Sequence, residues 1–490
     1  MRAWTGQPRY CRIALLAGAA ACLPFACTSS PHRPSATLQN ATLRISDHVG
    51  GTHYRTVIHN GTWYQTFGTS LLALDPTDGS TRACIDLKPP GEAGSATDLL
   101  VHDRRLYVVL RDDAVIEITP VTDGRLELTR RITADRLGIR PRRLSLVAEA
   151  LYVSGPGGAV RLADLDPVFR HDGDARSVIA TAGGLAVTVG RRIYLVGDNT
   201  YLGSASELLP LPPDRWHTAR FAFIRRGPDG ASVGLMTENL REVDARRTTI
   251  RLDQPIHRLR LFDDRLWVVG EEDIRAYLLR AGELKLAALV NIRGARDVDK
   301  IDDNHLALAG VFGRAIYRRR DDQHGPGRTL IHVHREPCAL TSARFDGRHI
   351  LAGGPHGTWL YSPATSTLQP GRPPIAPAAP PRRAVTLAAT AAISADGASV
   401  VLSTPDGPFT YADPAQAPFH CIVAVDGRFW LGHDAGITVL GAKDPAPAQA
   451  IAHLRLDGPV RFLFPLLEGG GAAYVSELAG IGVARLSEPP

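Results

Sequence analysis

Two histidines and a glutamate alternate along one short strand-like segment, a spacing that metal ligands can use. In "IHVHRE", His332 and His334 fall on one face of a strand, and Glu336 continues the same alternation. A zinc site needs a third or fourth ligand and hydrogen bonds that orient the ligands. The neighbouring sequence supplies neither. We therefore interpret the segment as the polar face of an outer strand, and we predict no metal site and no cofactor.

A Gly-x-Ser-x-Gly pattern, typical of serine hydrolases, occurs at 230–234 as "GASVG". The nucleophile of those enzymes needs a sharp turn from a strand into a helix, where backbone amides stabilise the oxyanion. Here a "PDG" turn precedes Ser232, and the residues that follow continue as a strand. The sequence therefore predicts that Ser232 is not a nucleophile, and we assign no catalytic residue.

Charged residues cluster in turns that directly follow strands. The clusters are Arg111 to Asp113, Glu271 to Asp273, and His433 with Asp434. A fold that brings these turns to one rim would give them a charged binding surface, although turns also favour Asp for conformational reasons. Their role depends on the fold, so we assign them none and leave the binding residues unknown.

One phrase recurs along the chain and indicates that fold. Each copy has an alternating apolar and polar run, a turn such as Asp-Gly or Asp-Asp, a β-branched or aromatic run, a second turn and another alternating run. This is the pattern of β-hairpins whose every second side chain is buried. The eleven copies lie at 57–75, 100–118, 145–165, 178–198, 223–244, 261–279, 300–318, 344–362, 391–411, 423–441 and 464–486.

The spacing of the copies indicates blades. Tyr64 and Tyr107 are 43 residues apart, Tyr107 and Tyr152 are 45 apart, and Trp430 and Tyr474 are 44 apart. A period of about 40 residues, with four short strands, is typical of a β-propeller blade. From about residue 41 onward the chain resembles the propeller-repeat superfamily, which implies an all-β fold. A single meander cannot bury both faces, so the blades must stack radially and the ring must close.

The two ends of the repeated region suggest how closure occurs. The last copy lacks an obvious outer strand, whereas "ATLRIS" at 41–46 is an isolated strand before the first complete copy. We predict that this N-terminal strand completes the last blade. Eleven copies exceed the four to eight blades usual for one ring, so the chain forms one large ring with insertions or two rings. We favour two rings.

A Pro-rich segment at 369–384, "QPGRPPIAPAAPPRRA", is typical of an extended loop or linker. It either separates two rings or connects two blades of one ring. We therefore expect propeller blades at 41–368 and at 385–490.

Two stretches resemble the repeats of propeller families that have known functions. "ALDPTDGSTRA" at 73–83 resembles the blade signature of pyrroloquinoline-quinone-type propellers, with Ala73, Asp75 and Gly79 matching it but Asp78 and Ala83 departing from it. Cofactor-binding and structural members share that signature, so the resemblance implies the fold alone. "DGRFWLGHDAGI" is similar to the sensor propellers of two-component regulators. Because no kinase or transmembrane segment follows it in the sequence, we do not expect that role.

The N-terminus has the features of an export signal. Arg2, Arg9 and Arg12 precede the apolar run "IALLAGAAACLPFA" at 13–26. That run is short for a transmembrane helix but suits the central part of a secretory signal. We therefore expect a signal peptide at 1–27, of which the apolar run is removed from the mature protein.

The stretch "ACTSSPHRPSATLQN" resembles the junction of bacterial lipoproteins, which implies lipidation of Cys27 followed by a polar tether at 28–40. The Leu usual at three residues before the Cys stands four before it, at Leu23. Cys22 is a second candidate, and a cleaved signal without lipid is the alternative. The resemblance implies an exported protein of the bacterial envelope, with the outer membrane as the expected site.

The charge distribution and the cysteine content argue against two classes of protein, those that bind nucleic acid and those built on a cysteine framework. The net charge is +6, and the basic residues are spread along the chain among Asp and Glu, which argues against a nucleic-acid surface. Cys84, Cys338 and Cys421 are far apart and form no metal framework or dense disulfide scaffold, although two of them could pair.

These observations support two functional hypotheses. The first is a non-catalytic, envelope-anchored propeller that binds a protein partner or a cell-surface polymer through its rim loops, with a lipid as its only contact to the membrane. The second is a propeller enzyme, such as a quinoprotein, a lactonase or a glycan-acting enzyme, with a site in the central channel. Carboxylates and histidines converging on the axis would favour the enzyme, and an Arg-rich rim would favour binding.

Overall fold

The computed structural model describes residues 42–89, 94–121, 125–212, 216, 218–227, 230–280, 282–318, 330–371, 379–386, 389–405, 407–414, 417–441, 450–466 and 470–487. They belong to one compact unit, Asn40–Pro490. The expected signal peptide and tether, with both lipidation candidates Cys22 and Cys27, lie outside the described residues. In the described part of the chain, no helix has both the length and the apolar character needed to span a membrane.

Eleven four-stranded units account for nearly all of the regular structure in the described residues. The strand β1 (Thr42–Val49) precedes them. Blade 1 contains β2 (His53–His59), β3 (Thr62–Phe67), β4 (Ser70–Leu74) and β5 (Thr81–Asp86). Blade 2 contains β6 (Ala96–His102), β7 (Arg105–Leu110), β8 (Ala114–Pro120) and β9 (Leu126–Thr133). The short helix α1 (Ala134–Leu137) follows it.

Blades 3 and 4 share β10 (Arg143–Val147), β11 (Ala150–Arg161), β12 (Pro167–Thr181), β13 (Gly184–Val189), β14 (Arg192–Leu195) and β15 (Tyr201–Gly203). Blade 5 contains β16 (Glu207–Pro210), β17 (Ala219–Gly227), β18 (Gly230–Thr237) and, after the short helix α2 (Ala245–Thr248), β19 (Ile250–Leu252). Blade 6 contains β20 (Ile256–Phe262), β21 (Arg265–Gly270), β22 (Ile274–Arg280) and β23 (Glu283–Val290). Blade 7 contains β24 (Ala295–Lys300), β25 (His305–Gly310), β26 (Gly313–Arg318) and β27 (Leu330–His334).

Blade 8 contains β28 (Ser342–Phe345), β29 (Ile350–Gly354), β30 (Gly357–Ser362) and β31 (Thr367–Pro370). Blade 9 contains β32 (Arg383–Val385), β33 (Thr390–Ile393), β34 (Ser399–Thr404) and β35 (Gly407–Ala412). Blade 10 contains β36 (Phe419–Val425), β37 (Arg428–His433), β38 (Gly436–Gly441) and β39 (Ala450–Arg455). Blade 11 contains β40 (Val460–Pro465), β41 (Gly471–Ser476) and β42 (Gly480–Ser487) and takes its fourth strand from β1.

Blades 3 and 4 form one six-stranded sheet because two of its strands are long and bent. The strand β11 turns at Gly157 and Gly158, whose φ angles are 104° and 124°, so that its halves pair with different strands. The amide of Leu162 donates to the carbonyl of Leu151 at 2.8 Å, which brings the C-terminal end of the strand back beside its beginning. The first half of β12 pairs with β11 and its second half with β13. Each half therefore serves as a separate blade strand.

Apolar clusters between successive blades close a ring of seven. Clusters join blades 1 to 2, 2 to 3, 3 to 4, 4 to 5, 5 to 6 and 6 to 7. The seventh cluster closes the ring, because Trp63 and Leu74 of blade 1 pack against Ala307 and Ile316 of blade 7. Trp63 is fully buried there. Burying both faces of every sheet in this way is what a meander of four strands needs.

The remaining four blades form a second array, which we call the four-blade array. Blade 9 packs on blade 10 and blade 10 on blade 11 through two apolar clusters. Blade 11 then packs on blade 8, where Phe462 and Val475 contact the cluster that contains Ala343 and Trp359. The packing order 9, 10, 11, 8 thus differs from the order along the chain.

The N-terminal strand closes the last blade, as the sequence predicted. The strand β1 pairs antiparallel with β42, with Leu43 opposite Leu486 and Val49 opposite Ile481. Leu43 is buried in the cluster between blades 10 and 11. The propeller fold, the eleven repeated units and this closing strand are confirmed.

The recurring hairpin turns explain why the phrase repeats. Positive φ angles occur at both central residues of Asn60-Gly61, Asp103-Arg104, Asp263-Asp264 and Asp426-Gly427. Two consecutive positive φ angles define the type I′ turn, whose twist matches that of the flanking strands. Asn, Asp and Gly tolerate this conformation best, so the turn dipeptides stand out in the sequence.

The Pro-rich segment lies between blades 8 and 9, so it connects blades and does not mark the boundary between the arrays. That boundary falls earlier, between His334 at the end of β27 and Ser342 at the start of β28. The expected loop at 369–384 is also shorter than predicted. Its first two residues belong to β31 and residues 383 and 384 belong to β32, because both stretches pair with a neighbouring strand.

Candidate functional site

The innermost strands of the seven-bladed ring carry a buried ion-pair network across the ring axis. Asp98 of blade 2 accepts hydrogen bonds from Arg55 Nε and from Arg258 NH1, both at 2.8 Å. Blades 2 and 6, which carry Asp98 and Arg258, lie on opposite sides of the ring. On blade 7, Asp297 accepts from Arg260 at 2.9 and 2.6 Å. Charged side chains therefore fill the channel at this depth.

The network is electrostatically matched. Burial acts to raise the pKa of Asp98, but the guanidinium groups of Arg258 and Arg55 outweigh it and hold that pKa below its ordinary value. The same balance lowers the pKa of Asp297, where Arg260 makes the largest opposing contribution. A buried carboxylate without such partners would be strongly destabilising. The network therefore depends on all of its members.

Above this network lies a cavity of about 420 Å³, which we call the arginine cavity. The ring contributes one wall. The four-blade array contributes Arg455, at the end of β39, and the turn residues Asp457 and Leu478 to the other. Seven arginines and two aspartates are among the residues that line it. The arginines are Arg55, Arg111, Arg142, Arg143, Arg176, Arg296 and Arg455.

Carboxylates in and behind the lining hold several of these arginines in place. Arg142 Nε lies 2.7 Å from Asp112 Oδ1, and Arg455 NH2 lies 2.5 Å from Asp112 Oδ2. Since Asp112 is on the ring and Arg455 on the four-blade array, this ion pair bridges the two. Asp174 contacts Arg142 at 3.4 Å and Arg176 at 3.2 Å. Asp112 and Asp174 therefore orient three of the arginines.

Arg296, His257 and Glu271 form a second supporting group at the edge of the arginine cavity. Glu271 Oε2 lies 2.7 Å from His257 Nε2 and 2.7 Å from Arg296 NH1. Burial acts to raise the pKa of Glu271, but these hydrogen bonds and the charge of Arg296 lower it to about 2. Burial lowers the pKa of His257, which favours the neutral form of its ring. The group therefore presents the Arg296 cation with its counter-ion behind it.

Asp457 lies where three cavities meet. It lines the arginine cavity and two neighbouring cavities of about 610 and 320 Å³. Its Oδ2 accepts a hydrogen bond from the Tyr54 hydroxyl, and its Oδ1 lies 3.3 Å from Arg111 NH1. Burial raises the pKa of Asp457 to about 7. The carboxyl group is therefore poised to change protonation state near neutral pH.

Backbone contacts beside Asp457 join the two chain connections between the ring and the four-blade array, and hold one of them against blade 11. The amide of Gly51 donates to the carbonyl of Pro337 at 2.9 Å, and the Thr52 hydroxyl donates to the carbonyl of Leu478 at 3.1 Å. Gly50 has a φ of 87°, and a Cβ atom there would lie 2.2 Å from the Pro337 oxygen. The close approach of the two backbones thus requires a residue without a side chain.

The structure brings some of the charged turns together and separates others. Arg111, Asp112, Asp113 and Asp434 line the cavity of about 320 Å³, so turns from blades 2 and 10 meet as a shared rim would require. Glu271 reaches the arginine cavity through Arg296.

The other turn residues make local contacts. Glu272 pairs with Arg293 at 3.4 Å, and Asp273 pairs with Arg275 at 2.8 Å. His433 is buried in blade 10, where its Nε2 lies 3.0 Å from the Thr438 hydroxyl. These residues therefore stabilise their own blades.

The alternating histidines lie at the outer edge of blade 7. His332 is exposed, and His334 Nε2 lies 2.9 Å from the carbonyl oxygen of Asp78. Glu336 turns toward Arg314 at 3.8 Å. Among the described residues, no group of three or more His, Cys, Asp or Glu side chains is arranged to hold a metal ion.

Ser232 and the quinoprotein-like signature have structural positions. Ser232 lies inside β18, paired with Arg225 and Arg251, and not at a turn into a helix. Asp75 accepts hydrogen bonds from the amide of Thr77 at 2.8 Å and from Arg82 NH2 at 2.5 Å. Its carboxylate therefore stabilises the turn between β4 and β5.

Apart from Arg111, the arginines of the cavity were not singled out from the sequence, although the repeats contain a signal for part of the site. Arg55, Asp98, Arg143 and Arg258 each stand five residues before the first residue of their hairpin turn. Equal distance from the turn means equal depth along the inner strand, so these side chains reach the same level near the axis. Alignment of the copies on their turns would have placed them together.

No family model matches the chain, and no curated protein matches it by sequence. Solved structures with a similar arrangement of strands include U3-55K, at 13% identity and a TM-score of 0.41 over 60% of this chain and 97% of that chain. A chain of the mitotic checkpoint complex has 10% identity and a TM-score of 0.44 over 62% and 99%. PorZ, a bacterial surface component of the type-IX secretion system of Porphyromonas gingivalis, has 12% identity and a TM-score of 0.40 over 90% and 81%.

Proposed function

We propose that this protein is a non-catalytic, envelope-anchored propeller scaffold that binds a protein partner or a cell-surface polymer. The observation that carries the proposal is the lining of the arginine cavity, which contains seven arginines and two aspartates. Arginine binds carboxylate and phosphate groups through paired hydrogen bonds and is common at recognition surfaces. The surface therefore suits acidic groups of a partner.

The position of the charged network also supports binding over catalysis in the channel. The enzyme hypothesis requires a site at the ring axis where a substrate reaches carboxylates or histidines. At the level of Asp98 and Asp297, arginines occupy that space and engage both carboxylates. Asp297 is fully buried, and Asp98 is 1% exposed. Neither has a lone pair directed at an open space from which it could act as a base.

Rigidity favours the same proposal. Closed blade interfaces, together with backbone hydrogen bonds between the ring and the four-blade array, fix the rim loops before any partner binds. A prearranged surface loses little conformational entropy on binding. We also propose that residues 1–27 direct export, that Cys27 carries the lipid, and that residues 28–40 tether the propeller to the membrane.

The test is capture of partners by the full-length protein from a bacterial envelope, with mass analysis of the mature N-terminus. We expect lipid on Cys27 and a reproducible partner. The Arg143→Glu, Arg176→Glu double variant should lose that partner, because it reverses two charges of the arginine cavity. The matched control is Arg280→Glu, which changes an exposed arginine at the end of β22.

Retention of the partner by the double variant would remove the arginine cavity from the proposal. An unlipidated protein that captures no partner would overturn the proposed anchoring and scaffold function. Far-UV circular dichroism and the thermal midpoint of each variant establish that it is folded.

A further inference from the structure

We infer that the arginine cavity binds a ligand carrying a tetrahedral oxyanion, of the phosphate or sulfate ester type, and that Asp457 occupies part of the position that the ligand takes. The inference deepens the proposed binding function and rests on it for the biological source of the ligand. Whether the anion itself binds is a separate property of the cavity, and a separate experiment measures it.

The charge of the cavity is the first support. Its lining carries five more positive than negative formal charges when both carboxylates are ionised. Three carboxylates behind the lining, Asp98, Asp112 and Glu271, neutralise part of that excess. The backbone of Arg143 pairs with Ser154, but its guanidinium group makes no hydrogen bond or ion pair to other described residues, so its donors are available to a ligand. A net positive cavity with a free guanidinium group is an electrostatic site for an anion.

The directions of the arginines indicate which kind of anion fits. They come from blades 1, 2, 3, 4 and 7 of the ring, and Arg455 comes from the four-blade array on the opposite wall. A carboxylate accepts hydrogen bonds close to a single plane. A phosphate or sulfate group directs its oxygens toward the corners of a tetrahedron and can accept from guanidinium groups on several sides. Donors that surround the cavity therefore favour the tetrahedral group.

The size of the cavity limits the ligand. A volume of about 420 Å³ lies within the range of small-molecule sites. Because the four-blade array covers one side, the part of the ligand that enters the cavity is a compact group and not a folded surface. An inorganic diphosphate, a sugar phosphate or the charged end of a polymer has the required dimensions.

Asp457 is the internal anion of the cavity. Its carboxyl group is hydrogen-bonded to Tyr54 and lies 3.3 Å from Arg111, a guanidinium group that an incoming phosphate would also use. The carboxylate of Asp457 and the negative charges of the ligand would repel each other in this partly buried site. A ligand therefore binds with Asp457 protonated or displaced from Arg111, and removing the negative charge of Asp457 strengthens binding.

The experiment is titration calorimetry of the full chain with inorganic pyrophosphate, followed in parallel by the thermal midpoint. Inorganic phosphate, sulfate and acetate are compared at matched ionic strength, so that general screening is held constant. We expect saturable binding of pyrophosphate, weaker binding of phosphate and sulfate, and no stabilisation by acetate beyond that by chloride. Equal effects of pyrophosphate and acetate would overturn the inference.

Variants assign the binding to the cavity. Arg143→Ala should weaken pyrophosphate binding by about tenfold, the loss expected for one charge-assisted hydrogen bond. Arg143→Lys should recover part of the affinity, and the control Arg280→Ala should leave it within about twofold of the parent. Asp457→Asn should tighten binding severalfold. An Arg143→Ala protein that is folded and binds like Arg280→Ala would contradict the inference.

Two further probes identify the class and source of the ligand. Hexaglutamate tests an acidic peptide, and tighter binding of that peptide than of pyrophosphate would replace the tetrahedral oxyanion with a carboxylate ligand. Long-chain polyphosphate tests a polymer end against a free small molecule, and either preference is compatible with the inference. Binding of pyrophosphate by a protein that captures no envelope partner would support this inference while overturning the proposed scaffold function.

Discussion

At the residue scale, Asp98 shows how the ring axis is stabilised. Its carboxylate is nearly fully buried and is shared by Arg55 and Arg258, and its second oxygen accepts from the amide of Leu144 at 2.8 Å. Such an ion-pair group adds little stability relative to an apolar core of the same shape. Removing one of its members, however, leaves the remaining buried charges without a partner. The network therefore makes the ring sensitive to single substitutions at its axis.

Asp98→Ala should destabilise the protein by about 3–5 kcal/mol, because two buried guanidinium groups lose their counter-ion. The control is Asp303→Ala, which removes an exposed partner of Lys300 and should cost less than about 1 kcal/mol. Urea denaturation followed by circular dichroism measures both. Similar costs for the two variants would show that the axis network does not act as a unit.

The raised pKa of Asp457 should make the stability of the protein depend on pH. Burial raises its pKa to about 7 from an ordinary value of 3.8. The folded state therefore holds this proton more tightly than the unfolded state does. The contribution of Asp457 to the free energy of unfolding should fall as the pH rises from about 4 to about 7, and should stay constant above that range. Tyr54 and Arg111 of the ring contact its carboxyl group, and Arg455 of its own array lines the same cavities.

The Asp457→Asn variant should lack this dependence. Its thermal midpoint relative to the parent should rise as the pH increases from 4 to 7, because the parent alone loses stability on ionisation of this group. Midpoints measured at half-unit intervals from pH 4 to pH 8 give the comparison. Parallel curves for the two proteins would contradict a raised pKa at Asp457.

The candidate site was predictable from the sequence only in part, and the reason is geometric. Charged turn residues such as Arg111 and Asp112 stand out because they follow strands directly, and the structure brings them to one rim. Arg55 and Arg143 lie within strands, where a single arginine resembles an ordinary polar position. Arg455 faces them across more than 300 residues of sequence, and no local pattern indicates which blades meet.

At the element scale, the hairpins and the blades were predictable because they are local. The alternation of buried positions and the dipeptides at type I′ turns mark each copy, and eleven copies became eleven four-stranded units. The division into seven and four blades was not predictable. It depends on contacts such as that of Trp63 with Ile316, and all blades present similar apolar faces to their neighbours.

A comparison of Gly50 with Gly61 distinguishes the cost of a strained backbone conformation from the cost of a steric clash. Both have positive φ, at 87° and 70°, but a Cβ atom at Gly61 would meet no atom within 4 Å. Gly61→Ala should therefore cost about 1 kcal/mol through its backbone conformation alone. Gly50→Ala should cost clearly more, because the added methyl group would collide with the Pro337 carbonyl and push apart the two connections between the ring and the four-blade array.

Thermal midpoints and urea denaturation of the two glycine variants provide the measurement, and hydrogen exchange at the Gly51 amide reports the contact with Pro337. Faster exchange is expected in Gly50→Ala and unchanged exchange in Gly61→Ala. Equal destabilisation by the two substitutions would show that the Gly50–Pro337 contact can open to accommodate the methyl group without loss of stability.

At the scale of the whole molecule, the ring and the four-blade array differ in how much they depend on the N-terminal strand. The ring closes through its own cluster between blades 1 and 7. Blade 11 of the other array depends on β1, which comes from the opposite end of the described chain. Ion pairs and backbone hydrogen bonds beside Asp457 then couple the two. The stability of the four-blade array should therefore depend on β1 more than that of the ring does.

Leu43→Asp tests this dependence, with Arg44→Asp as the control on the opposite face of the same strand. Leu43 is 4% exposed and packs in the cluster of blades 10 and 11, whereas Arg44 is exposed. Burying a carboxylate in place of Leu43 should cost at least about 3 kcal/mol and detach β1 from β42. Differential scanning calorimetry should then show two transitions, with the four-blade array unfolding before the ring, while Arg44→Asp keeps the profile of the parent. A single transition at lower temperature in Leu43→Asp would contradict this prediction. It would mean that the contacts around Asp457 make the two arrays unfold together even without the support of β1.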